Sequence, residues 1–274
     1  MQWRKCQRLK AMPNLVIYTA VTGHYDELGS VYEEPSVDYI CFTDYNFTGT
    51  VPKPWKQIKL PPSNFSDKDL ARYCKLNPHV LLPQYQHSLW IDGNIRIKGK
   101  IRNFIIDILS KHRIAAYEHW WRDKTEQEFH ECARSGFDPA WKLYKQIERY
   151  KHEGYTSSDF FENNILMRNH MESDIIKMHE IWWGEYISGG KRDQYSFTYA
   201  AYKSDVNIYS LGVHDARVIK QYFDYVTHSK KRPLKQYIWI IINRIYISLT
   251  RWSVNEPSRT NKLVLNNERD SNEK

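Results

Sequence analysis

Ser88-Leu-Trp-Ile-Asp-Gly-Asn94 is the stretch on which the fold turns. Its first four residues form a short, mostly apolar run of the kind that makes a buried strand, and an acid stands at the end of the run. The glycine that follows lets backbone and ligand approach closely, and in open α/β sheets ligands gather at the carboxyl ends of strands. Asp92, Gly93 and Asn94 are therefore candidate ligand contacts.

Outward from this strand, short β-branched runs alternate with longer helical patterns, which predicts an α/β domain with a largely parallel sheet. Upstream strands are predicted over 15–19 and 37–43, and their carboxyl ends add Thr19, Thr22 and Asp44 to the candidates. Ser66 followed by Asp67 and Asp69 caps and starts a helix that Pro78 ends or bends. On it Arg72 and Lys75 are three apart and share a face, either a solvated basic face or two cations converging on one anion. Downstream, strands are predicted over 95–98, 114–117, 164–167 and 207–211. Helices are predicted over 101–112, 123–152 with a break near Gly136 and Pro139, around 171–186, and 193–202. Glu162, Asn163 and Asn164 open one strand, and Arg192, Asp193 and Gln194 open the last of these helices. The organisation is a basic lead over 1–13, one domain over 14–224, a tail over 225–252 and a polar end over 253–274 that is expected to be disordered.

The 274 residues include 40 Lys and Arg against 32 Asp and Glu, a net charge of +8 that, taken whole, suggests a polyanionic partner. Its distribution changes that reading. Residues 1–25 and 225–255 contain no acid and contribute +4 and +6, so the remainder carries −2. A basic groove through the body, which a nucleic-acid enzyme needs, loses support from this balance, and a tail that meets anionic lipid or another polyanion gains it. Cys6, Cys41, Cys74 and Cys132 are too scattered for a zinc site and read as reduced, buried thiols. No apolar leader segment precedes the first strand, and the longest apolar stretch, 237–242, is cut by Asn243 and Arg244, well short of the ~20 residues that span a bilayer. A cytoplasmic protein is expected.

An oxygen-rich pair at the end of a buried strand suits a hard cation, Mn²⁺ or Mg²⁺, that screens a departing diphosphate. Here the pair is Asp92 and the neutral Asn94, which weakens such a site, and Arg72 and Lys75 could supply the counter-charge instead. Asp193, with Glu162 second, is the candidate carboxylate for accepting a proton or clamping a hydroxyl. Trp90, Trp120, Trp121, Trp182 and Trp183 could act as ring platforms or as core.

Lys75-Leu-Asn-Pro-His79, the Ser88–Asn94 stretch, Tyr18-Thr-Ala-Val-Thr-Gly23, Glu162-Asn-Asn-Ile-Leu-Met-Arg168 and Arg192-Asp-Gln-Tyr-Ser-Phe197 together resemble the DUF616 family. These are glycosyltransferase-like proteins of bacterial surface-polysaccharide loci and plant cell-wall synthesis, and the resemblance covers roughly residues 14 to 215. It implies a GT-A type, Rossmann-like domain that binds a nucleoside-diphosphate sugar and passes the sugar to a glycan or lipid-linked glycan in capsular or O-antigen-like synthesis. By the same resemblance Thr19, Thr22 and Asp44 would contact the nucleoside. Arg72 and Lys75 would face the diphosphate, and Asp92 and Asn94 would stand in for an Asp-x-Asp motif. His79 falls in the Pro-His element. His119 and Arg122 match the ends of a His-Pro-x-Arg element whose Pro is Trp120 here, and His214 would be a third metal ligand. The alternative is a non-catalytic glycan-binding or scaffold protein of the same fold, which the neutral Asn94 favours.

Residues 230–252 combine a basic cluster with an apolar segment bearing Trp and Tyr. They read either as an interfacial helix on anionic lipid at the inner face of the cytoplasmic membrane or as a final helix packed on the domain.

Overall fold

The computed structural model describes residues 14–23, 28–157, 159–214, 222–226 and 233–255. Seven strands form one sheet: β1 (Leu15–Val21), β2 (Asp38–Thr43), β3 (Lys56–Lys59), β4 (His87–Ile91), β6 (Ile114–His119), β7 (Phe161–Arg168) and β8 (Tyr209–His214). Their order is β3-β2-β1-β4-β7-β6-β8. β5 (Ile95–Ile97) leaves the sheet after the turn that Ile95 N closes on Asp92 O, and pairs with β9 (Phe223–Tyr225) in a separate ribbon.

The alternation of strand side chains sorts the core into two layers. Val16, Tyr18, Ala20 and Trp90 face the layer covered by α1 (Asp67–Leu76), α6 (Ser173–Ser188) and α7 (Phe197–Ser204). Leu15, Ile17, Val21, Leu89 and Ile91 face the layer covered by α3 (Arg102–Lys111). With both faces covered, β1 is buried at every position, as its unbroken Leu-Val-Ile-Tyr-Thr-Ala-Val run requires. A one-turn helix, α2 (Pro78–Leu81), follows α1. A third cluster lies outside the sheet, where α4 (Thr125–Arg134), α5 (Ala140–His152) and the terminal α8 (Leu234–Thr250) meet around Phe129, Leu143, Ile147 and Trp252. The predicted 123–152 helix is thus two helices, broken at Gly136 (φ +71) and Pro139.

β7 departs from the parallel pattern. It runs antiparallel to both β4 and β6, whereas β1–β2, β2–β3, β1–β4 and β6–β8 are parallel. This reversal brings the amino end of β7, with Glu162 and Asn164, beside the carboxyl ends of β4 and β6. β3 escapes a pattern reading because Lys-Gln-Ile-Lys is an exposed edge strand with no buried residue. Cys41, Cys74 and Cys132 are free and buried, and Cys6 lies outside the described residues.

Candidate active site

A cleft of about 840 Å³ opens at the carboxyl ends of β1, β4 and β6. At its floor, Thr22 Oγ1 donates to Asp67 O at 2.7 Å and ties the end of β1 to the start of α1. Gly23 beside it has φ +62, and an added Cβ would collide with the Asp67 carboxylate, so both conformation and space call for glycine.

Ser66 caps α1 by accepting from Asp69 N at 3.1 Å, and this helix aims Lys68, Arg72 and Lys75 into the cleft. Asp193, almost fully buried in a short 3-10 turn (Asp193–Tyr195), meets Arg72 Nε at 3.0 Å and Lys75 Nζ at 2.5 Å. Lys75 Nζ also lies 3.3 Å from Asp92 Oδ1, to which the Trp90 indole donates at 2.7 Å. Burial pushes the Asp193 carboxyl up, but Arg72 and Lys75 outweigh it and hold the group far below the usual carboxylate range. The Trp182 indole donates to Asp193 O at 2.7 Å, so the buried α6 fixes the turn from behind.

Lys75 is anchored through its backbone as well. The fully buried Arg168 guanidinium donates to Lys75 O at 2.8 Å and to the Tyr18 hydroxyl, which itself donates to Lys75 O at 3.3 Å. A cation at the last carbonyls of a helix is favoured by the helix dipole.

Glu128 on α4 organises the opposite wall. Only 1% exposed, it binds Arg192 Nε through Oε1 and an Arg122 nitrogen through Oε2, each at 2.9 Å. Burial raises the Glu128 carboxyl, and Arg192 and Arg122 more than reverse this. His119 Nδ1 accepts from the Trp121 and Arg122 amides at 3.0 and 2.9 Å, so the His119–Arg122 turn forms although Trp120 stands where the family has Pro.

Of the residues read from sequence, Thr22, Arg72, Lys75, Asp92, Gly93, Asn94, His119, Glu162, Asn164, Arg192, Asp193 and Gln194 line the cleft. Asp44 stands at its edge and accepts from Gly23 N at 3.0 Å. Arg122 supports the wall through Glu128. Thr19 and Asn163 are fully buried in β1 and β7 outside the lining, and Asn163 takes φ +58. His79 lies in α2, where its ring stacks on His179 at 5.6 Å, apart from the cleft. Trp90 and Trp120 line the cleft, and Trp182 is core. The lining also includes Lys68, Phe137 and Tyr225, which sequence patterning does not single out. Lys68 is the one with a legible signal, four residues before Arg72 on the same helical face.

Asp92 Oδ2 and Asn94 Oδ1 are the oxygens that could meet the expected Mn²⁺ or Mg²⁺. Asp92 Oδ1 already faces an ammonium and an indole N–H, and the Asn94 amide donates to Val226 O at 3.3 Å. His214 ends β8, with its side chain outside the described residues. Among the described residues no three His, Cys, Asp or Glu side chains come together as a metal site.

Comparison with solved structures finds the galactosyltransferase LgtC in complex with donor and acceptor sugar analogs, 13% identical over 71% of this chain and 72% of its own, with a TM-score of 0.39. Mouse xyloside xylosyltransferase 1 is 10% identical over 72% of this chain and 84% of its own, with a TM-score of 0.43. The glycosyltransferase GlyE of Streptococcus pneumoniae TIGR4 is 11% identical over 87% and 64%, with a TM-score of 0.40. No curated protein matches by sequence. The fold is a mixed α/β domain with a mostly parallel central sheet flanked by helices. The family model described as TOD1/MUCI70, glycosyltransferase-like domain, matches residues 49–228, which include α1, the end of β4 and the Arg192–Gln194 turn. The chain belongs to this TOD1/MUCI70 glycosyltransferase-like family, the DUF616 family that its motifs resemble.

Proposed function

We propose that the chain is a glycosyltransferase that takes its sugar from a nucleoside-diphosphate donor and holds the diphosphate on side-chain cations. One observation carries this reading. Lys68 and Arg72, one turn apart on α1, line the cleft with donors to spare. Arg72 uses Nε on Asp193, while its two terminal nitrogens and the Lys68 ammonium bind no described residue. A planar guanidinium and a mobile ammonium side by side suit adjacent phosphate groups.

In the transfer, a bond forms between the acceptor oxygen and the anomeric carbon while the bond from that carbon to the diphosphate oxygen breaks. The electron pair leaves with the diphosphate, where Lys68 and Arg72 stabilise the developing charge. Asp193, itself held by Lys75, keeps Arg72 in place. The acceptor proton goes to a carboxylate, and Glu162, 20% exposed at the cleft and 3.7 Å from His119 Nε2, is the assigned acceptor. Of the two roles read for Asp193, its strongly lowered pKa favours the clamp, because a carboxylate held by two cations is a weak base. Trp120 and Asn164 flank the space for the sugar. The acceptor is a glycan or lipid-linked glycan, a reading supported by the family's place in surface-polysaccharide loci.

The test is release of nucleoside diphosphate from common nucleotide sugars incubated with the full chain, in chelator and in Mn²⁺. Turnover of one donor is expected, and its loss in Glu162→Gln. Donor binding without release under any condition, with acceptor glycans supplied, would assign the chain to the non-catalytic reading.

A further inference from the structure

α8 is apolar on two opposite faces. One packs on α4 and α5, where Asn243 is fully buried. The other carries Leu234, Tyr237, Ile238, Ile241, Ile245 and Leu249, each 52–80% exposed and uncovered by any described residue. At 100° per residue these six form one stripe, with Lys235 along one border and Arg244 along the other. An exposed apolar stripe of this extent marks an interaction surface.

The charge identifies the occupant. Six cations and no acid lie between residues 225 and 255. A symmetric pair of α8 helices would bring these like charges together, whereas anionic lipid complements them and accepts the stripe between its acyl chains. At 17 residues the helix is about 25 Å long, and no described helix is long and apolar enough to cross a bilayer, so α8 would lie along the surface.

α8 also reaches the rim of the cleft, through its packed side. Gln236 donates to Ser135 O at 2.8 Å, and a Cβ added at Gly136 would touch Gln236 O and Ile240. The next residue, Phe137, is 49% exposed, lines the cleft and lies under the Arg192 guanidinium, 5.1 Å from its ring centre. We propose that α8 docks the domain on an anionic bilayer with the Phe137 rim of the cleft turned toward the lipid surface, so that the acceptor is membrane-borne. The acceptor part rests on the glycosyltransferase reading, and the docking part does not.

The experiment is co-sedimentation of the full chain with phosphatidylcholine vesicles with and without phosphatidylglycerol. Partitioning to the anionic vesicles is expected to be at least about tenfold stronger. The double variant Ile241→Glu, Ile245→Glu should lose about 100-fold without moving the thermal midpoint, since both side chains are exposed. Equal binding to both vesicle types, or undiminished binding by the double variant, would overturn the docking. So would a dimer that the double variant disperses in the absence of lipid binding. Phe137→Asp should weaken vesicle binding severalfold; if it does not, the orientation and the membrane-borne acceptor fall while docking stands. Nucleotide-sugar binding by the double variant, measured without vesicles, should equal that of the parent, which separates failure of this proposal from failure of the donor reading.

Discussion

Lys75 and Asp193 form the closest ion pair in the cleft, at 2.5 Å between Nζ and Oδ2, with both side chains buried. The Lys75 ammonium also lies 3.3 Å from Asp92, so one side chain bridges two carboxylates that reach the cleft from separate elements. Removing one partner of a buried pair leaves the other charge unpaired, which costs about 3–5 kcal/mol. Lys75→Met should therefore cost stability at the lower end of that range, because Arg72 still faces Asp193. Urea denaturation at neutral pH measures it, and a loss below about 1 kcal/mol would contradict the pairing.

The Tyr18 hydroxyl gives a subtler handle on the same helix end. Tyr18→Phe removes the acceptor for one Arg168 nitrogen and a donor to Lys75 O, with no change in apolar volume. An unsatisfied buried donor costs about 1–3 kcal/mol, which for a chain of this size is a thermal midpoint several degrees lower. Unchanged thermal denaturation would show that Arg168 finds its partners elsewhere.

Stability should also fall in mild acid. Burial pushes His170 down to about 4, and His179 beside it is held well below its ordinary value by burial and by Arg168. A lowered histidine stays neutral in the folded chain while the unfolded chain takes up a proton near 6.5, so stability is lost as pH falls from about 6.5 toward 4. Each such group contributes a slope of at most about 1.4 kcal/mol per pH unit. Asp193 adds a separate loss below about 4, where the unfolded carboxylate protonates before the folded one. A denaturation series from pH 7 to 4 should slope downward, most steeply between about 6 and 4, and His170→Asn should flatten that part.

Asn243 was legible only as an interruption of an apolar run. In the fold it is fully buried, accepts from Ala140 N, and donates to Ala133 O and Asp138 O, each at 2.8 Å. One amide thus satisfies three backbone groups around the α4–α5 link and fastens α8 to it. Asn243→Leu orphans Ala140 N and Asp138 O, while Ala133 O keeps Gly136 N, and should destabilise by about 3 kcal/mol. A near-neutral effect in chemical denaturation would mean that α8 is not held there.

Such contrasts show what the sequence makes legible. Asp92 is readable because an acid ending an apolar run is a local event, and Arg72 with Lys75 because helical spacing puts them on one face. Asp193 is readable at the start of a turn, but its pairing with both cations is a long-range fact. Glu128 sits in the polar pattern Thr-Glu-Gln-Glu and looks like any solvated helical acid until Arg122 and Arg192 close over it. His79 follows the same helix as Lys75 yet turns to His179, because α1 ends at Leu76 and α2 begins anew after Asn77. The antiparallel entry of β7 depends on chain topology and leaves no periodic trace.

The central claim is that Lys68 and Arg72 hold the donor diphosphate, and calorimetric titration of nucleoside diphosphates into the full chain in the presence of chelator tests it most directly. Binding of at least one of them is predicted, weakened about 30-fold by Arg72→Met and comparably by Lys68→Met, as expected for a lost charge-assisted hydrogen bond. Absence of binding by every nucleoside diphosphate unless Mn²⁺ is added, or equal binding by both variants, would contradict the account.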